Sequence, residues 1–134
     1  MDCPSFGSIL LGVEIPPVGG DTLFSNQYMA YDYLSPGMKA MLEKLICIHT
    51  AAQAYDPVRL AHKYRGETNM KYQYSEAVEK LVEHPVIRTH PETGRKSLFV
   101  NKMFTTKFKD MSPKDSAPLL EYLSQHAIQP EFQC

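Results

Sequence analysis

Residues 84–101, HPVIRTHPETGRKSLFVN, hold two short apolar runs hinged on Pro91-Glu92-Thr93-Gly94. Proline and glycine at that spacing close a turn rather than continue a helix, so residues 86–90 and 96–101 are expected as two strands folded against each other. Such a pair excludes an all-helical bundle and, with the helical patterns elsewhere, sets the fold class as mixed α/β. Residues 8–15, SILLGVEI, are branched and apolar, bounded by Gly7 and Pro16-Pro17, and read as a buried strand. Gly19-Gly20 then makes a turn, and Thr22-Leu23-Phe24 begins the second arm of a hairpin.

Helical signals lie between and after these pieces. Residues 26–34 and 36–45 read as helices, the second with Ser35 as N-cap, Pro36 at the first helical position, and Met38, Met41, Leu42 and Leu45 on one face. The methionine and leucine stripe reads as core. Residues 46–51 alternate and suit a strand, 53–74 read as a polar loop, and 75–82 as a short helix. The last helix takes Ser112 as cap, Pro113 at its first position and Asp115 two residues on, with Leu119, Leu120 and Leu123 as its apolar face.

A chain of 134 residues is the size of one domain, and 14 basic against 15 acidic side chains give a formal net charge of -1. That balance argues against nucleic acid and anionic membrane as partners and for a small-molecule substrate. Cys3, Cys47 and Cys134 form no paired motif, no apolar stretch is long enough to span a bilayer, and the N-terminus lacks a signal-peptide pattern, so a cytoplasmic setting is expected.

The histidines raise the question of a metal. A facial triad of two histidines and a carboxylate often takes its first two ligands from H-x-D or H-x-E on a strand. His90-Pro91-Glu92 is the pair of that form, but Pro91 and Thr93-Gly94 put Glu92 in the turn, where the two side chains no longer share a face. His49, His62 and His126 lack an acidic neighbour at ligand spacing and are expected as hydrogen-bonded structural or surface histidines. There is no G-x-S-x-G elbow, and Gly19-Gly20 lacks the rest of a phosphate loop.

PPVGGDTLFSNQYMAYDYLSPGMKAML, HPVIRTHPETGRKSLFVNKMFTTKFKDMS and LLEYLSQHAIQPEF together resemble the taurine dioxygenase family of Fe(II)- and 2-oxoglutarate-dependent oxygenases. The resemblance implies a double-stranded β-helix, or jelly roll, with helical insertions, here as a partial one. It implies Fe(II) and 2-oxoglutarate as cofactors and a reaction in which 2-oxoglutarate and oxygen become succinate and carbon dioxide while a substrate carbon is hydroxylated. A sulfonate such as taurine then releases sulfite.

In the family, the iron ligands are an H-x-D pair ahead of the Gly-Gly-Asp-Thr turn and a distal histidine beyond the Pro-Glu-Phe segment, with an arginine after it that pairs with 2-oxoglutarate. None of these matches a position here, so no catalytic residue and no metal ligand is assigned, and residues 1–134 are expected to be a single, incomplete domain of this kind. Two positions carry over. Thr22 matches the threonine that binds the far carboxylate of 2-oxoglutarate, and Phe104 matches an aromatic residue of the substrate pocket. The counterpart of His90 is not an iron ligand, and the resemblance assigns no role to Arg88 or Arg95. Alone, the chain is expected to be inactive, with uncovered strands at residues such as Leu10 and Leu98 that favour association, including a homo-oligomer. The competing expectation is a non-catalytic scaffold or interaction module derived from the same fold.

Overall fold

The computed structural model describes residues 7, 9–55 and 75–134. The loop expected over 53–74 therefore lies mostly outside the described residues, as does His62.

Local capping explains the helices. Asn26 Oδ1 accepts the backbone N–H groups of Tyr28 and Met29 at 3.1 and 3.2 Å and opens α1, Gln27–Asp32. Ser35 Oγ accepts the Met38 N–H at 3.4 Å and opens α2, Pro36–Leu42. Both helices are shorter than expected. Just past α2 the chain tightens to three-residue spacing, where Leu45 N–H donates to the Leu42 carbonyl. Leu42 is fully buried, but Met41 faces solvent, so the apolar stripe is narrower than its spacing suggested. Ser112 opens α3, Pro113–Ala127, as expected: its Oγ accepts the Asp115 N–H at 3.2 Å and donates to the Asp115 carboxylate at 2.6 Å. Leu123 of α3 is fully buried.

Among the described residues, five strands form two antiparallel sheets. β1 (Ile46–His49) lies between β2 (Val82–Pro85) and β5 (Thr105–Phe108), and β3 (Ile87–Thr89) pairs with β4 (Lys96–Leu98). Cys47 faces His84 on one side and Phe108 on the other. The β3–β4 pair confirms the expected hairpin, with Ile87 opposite Leu98 and Thr89 opposite Lys96. Its turn closes through His90 N–H to the Arg95 carbonyl at 2.8 Å and Gly94 N–H to the His90 carbonyl at 3.0 Å. Gly94 sits at φ 67°, where a side chain would be strained. Val86 is the pivot between the sheets: its N–H donates to the Leu45 carbonyl at 3.0 Å, and its own carbonyl accepts from Phe99 N–H at 2.7 Å.

Two expectations are corrected. The helix expected over 75–82 is a single 3₁₀ turn, Glu76–Glu79, and Val82 belongs to β2 because β1 offers its backbone a ladder. The strand expected over 8–15 is absent at its described positions: no described strand pairs with this segment, and Ile9 and Leu10 are 100% and 90% exposed. Alternation and branching favour a strand only where a partner backbone exists. Gly19 and Gly20 both sit at φ 81°, but the chain bends just before them, at Pro17-Val18, and the expected hairpin does not form: the extended piece after them bridges elsewhere, Ser25 opposite Gln133. Phe24 and Cys134 exchange backbone hydrogen bonds of 3.1 and 3.0 Å beside that bridge.

The core joins the helices to the sheets through Ala30, Leu42, Val86, Leu98, Phe108 and Leu123. His126 ties α3 to α1, its Nε2–H donating to the Ala30 carbonyl at 2.7 Å, which is the hydrogen-bonded structural role expected of it. Arg95 pairs with Asp32 at 3.9 Å and lies over the Tyr28 ring, whereas Arg88 lies over the Phe99 ring rather than against a carboxylate. No helix among the described residues is long and apolar enough to cross a membrane.

Candidate functional site

A cavity of about 860 Å³ opens beside the β2–β1–β5 sheet. Four stretches converge on it, together with Gln27: the end of β1 and the turn that follows, residues 77–84, the β4 exit through residues 98–104, and the C-terminal end of α3. Thr50 fixes the first stretch, its N–H donating to the Phe104 carbonyl at 2.9 Å and its Oγ1 to the Val78 carbonyl at 3.0 Å. Asn101 fixes the third. Its Oδ1 accepts the Met103 N–H at 2.8 Å, while its own N–H donates to Thr105 Oγ1 at 3.0 Å. These bonds hold Phe104, half-buried, in the cavity wall.

Three rings meet at the lining. His49 and His84 lie edge to face at 5.2 Å, and Phe99 is 5.6 Å from the first and 5.3 Å from the second. Burial, reinforced by the neighbouring His84, pushes the His49 imidazole down to about 4, so it is neutral near pH 7. Its Nε2 is buried with no hydrogen-bond partner among the described residues, which corrects the expectation of a hydrogen-bonded or surface histidine. Sequence patterning could not join His49, His84 and Phe99, because their proximity depends on the β1–β2 ladder and the pivot at Val86. Cys47, on β1 near His49, is pushed up to about 12 by burial and is no nucleophile.

Thr22 is exposed, in the segment leading to the Ser25–Gln133 bridge, and is not among the residues lining the cavity. The His90-Pro91-Glu92 pair forms no ligand set. His90 Nδ1 accepts the Glu92 and Thr93 N–H groups at 3.3 Å each, which makes it a cap of the turn. Among the described residues, no three His, Cys, Asp or Glu side chains group where a metal ion could be held. Among the described residues no carboxylate groups with His49 and His84, so these residues do not fit a facial triad.

Residues 1–134 match the family model described as "Taurine catabolism dioxygenase TauD, TfdA family". A Schizosaccharomyces pombe protein described as an alpha-ketoglutarate-dependent sulfonate dioxygenase is 34% identical over 92% of the chain, which covers 29% of that protein. The crystal structure of a taurine dioxygenase from Burkholderia xenovorans matches 90% of the chain at 32% identity and a TM-score of 0.66, with 35% of that structure covered. The crystal structure of AAD-2 in complex with Mn(II) and N-oxalylglycine also matches 90% of the chain, at 32% identity and a TM-score of 0.68, with 41% covered. The chain thus spans about a third of the length of these relatives.

Proposed function

The chain belongs to the TauD, TfdA family of dioxygenases, and from that premise we propose that it forms the substrate-facing part of an Fe(II)- and 2-oxoglutarate-dependent dioxygenase acting on a small sulfonate such as taurine. The observation that carries this reading is that the motif-bearing stretch 84–104 supplies much of the cavity wall, Phe104 included. In this reading the two antiparallel sheets are part of a double-stranded β-helix, and residues 1–134 belong to one domain. When bound, iron and 2-oxoglutarate supply the oxidising chemistry that hydroxylates the substrate carbon. Because the described residues do not fit the metal, this chain's part is to bind and orient: Phe104 and Phe99 enclose the carbon body, and Thr22 donates its hydroxyl to the far carboxylate of 2-oxoglutarate.

Two assays test the reading. The 134-residue chain given Fe(II), 2-oxoglutarate and a sulfonate should form no succinate above a metal-only blank; succinate formation would overturn the assignment of the ligands to other residues. In a longer enzyme that joins this segment to an H-x-D pair, a distal histidine and its following arginine, Thr22→Val should weaken 2-oxoglutarate binding roughly ten- to a hundredfold and leave iron binding intact. An unchanged cosubstrate titration removes Thr22 from the site. The second reading, a non-catalytic interaction module, is favoured by the exposed apolar side chains of residues 9–24, and succinate formation by the longer enzyme would exclude it.

A further inference from the structure

Among the described residues, the buried side-chain polar atoms without a hydrogen-bond partner are Gln27 Oε1 and His49 Nε2, and both residues line the cavity. An unsatisfied buried polar atom is unfavourable, so each calls for a partner in what the cavity binds. The other end of the Gln27 amide sets its orientation. Gln27 Nε2 donates to the Ala127 carbonyl at 3.2 Å and to the Ser25 carbonyl at 3.4 Å, so the unpartnered atom is an acceptor. His49 packs against the rings of His84 and Phe99 and is neutral near pH 7, so its Nε2 donates in one tautomer and accepts in the other. Around these two residues, Val82, Leu98, Phe99, Val100, Met103 and Phe104 make the wall largely apolar.

We propose that Gln27 and His49 make this cavity a site for an uncharged ligand whose apolar body bears a neutral hydrogen-bond donor, a carboxamide or a hydroxyl, and that they select it against ligands of the same shape without one. A carboxamide N–H or a hydroxyl satisfies the Gln27 oxygen, and each of these groups also accepts, so it complements His49 in either tautomer. Both residues are half-buried, and a small side-chain rotation brings each polar atom to the cavity surface once a partner is present. A carboxylate sets its lone pairs against the Gln27 oxygen. An ammonium donates to that oxygen but sheds its water beside a lining that holds no aspartate or glutamate among the described residues. The volume of about 860 Å³ leaves room for a body well beyond the donor group itself. This selection is independent of the oxidising chemistry: neither iron, 2-oxoglutarate nor a sulfonate takes part in it.

Benzamide and acetophenone form the discriminating pair, because a methyl group in one replaces the amino group of the other and the carbonyl is common to both. Each is titrated at pH 7 into the 134-residue chain, with benzoate and toluene beside them, and followed in amide NMR spectra that include the Gln27 side-chain amide. Benzamide should shift that amide together with His49, Phe99 and residues 101–104, and should bind roughly three- to tenfold more tightly than acetophenone, the worth of one hydrogen bond. Benzoate should bind more weakly than either. Gln27→Met should erase the preference for benzamide. His49→Phe keeps the ring packing and so serves even where Gln27→Met does not fold; it should weaken benzamide roughly three- to tenfold without weakening toluene. Equal binding of benzamide and acetophenone through the cavity residues overturns the inference. So does a preference that survives Gln27→Met, benzamide binding unaltered by His49→Phe, or benzoate binding as tight as that of benzamide. Shifts that miss the cavity for every probe overturn it as well. The dioxygenase reading is judged separately, by succinate formation.

Discussion

Replacing His49 by phenylalanine should stabilise the chain, and the gain should grow as the pH falls. The imidazole packs against Phe99 and His84, a setting that a phenyl ring of similar size can occupy. Its Nε2 is buried without a hydrogen-bond partner among the described residues, and an unsatisfied buried polar atom costs about 1–3 kcal/mol. Phenylalanine removes that cost at every pH. The second contribution comes from linkage. Burial and then His84 lower the imidazole from 6.5 to about 4 in the folded chain. Between those values the unfolded chain binds a proton that the folded chain does not, so the stability associated with neutral His49 is complete above about pH 6.5 and lost as the pH falls towards 4.

The full shift corresponds to about 3 kcal/mol as an upper bound, and partial exposure of the ring reduces it to about 1–2 kcal/mol. Urea unfolding followed by far-ultraviolet circular dichroism at pH 7.5 and 4.5 measures both contributions. His49→Phe should exceed the parent by about 1 kcal/mol at the higher pH and by about 1–2 kcal/mol more at the lower. Carboxylates shared by the two proteins cancel in the difference. A gain that does not vary with pH, or a loss of stability at both values, would refute the reasoning.

Ser116 is fully buried and its Oγ accepts the Phe108 N–H at 3.1 Å, so Ser116→Ala should cost about 1–3 kcal/mol and speed amide exchange at Phe108; an unchanged exchange rate there would show that the bond is dispensable. At the hairpin turn, Gly94→Ala should cost about 1–2 kcal/mol in urea unfolding through its left-handed backbone, since no atom lies within 4 Å of the added Cβ, and Gly94→Asn should cost less. Equal costs for the two would point to a cause other than backbone strain. The exposed side chains at Leu10, Leu11 and Val13 should drive self-association, so changing all three to serine should lower the light-scattering mass at high concentration; an unaltered monomer before and after would refute that.

Features with causes a few residues away were legible in the sequence. The caps at Ser35 and Ser112 satisfy N–H groups three positions on, and the 90–95 turn closes on its own backbone, so their residue types announce them, whereas Asn26, expected within its helix, is that helix's cap. The motifs that carry the family resemblance were equally plain, and Phe104, within one of them, lines the cavity. Tertiary structure decided whatever needed a distant partner. Residues 82–85 became a strand rather than the end of a helix because β1 pairs with them, whereas residues 9–15, with a stronger apolar pattern, did not because no described strand does. The ring contact of His49 with His84, and the Nε2 left unpartnered among the described residues, arise from a ladder joining residues more than thirty positions apart, to which the β3–β4 hairpin adds Phe99. A side chain's solvation and charge state follow from those neighbours, which packing alone selects.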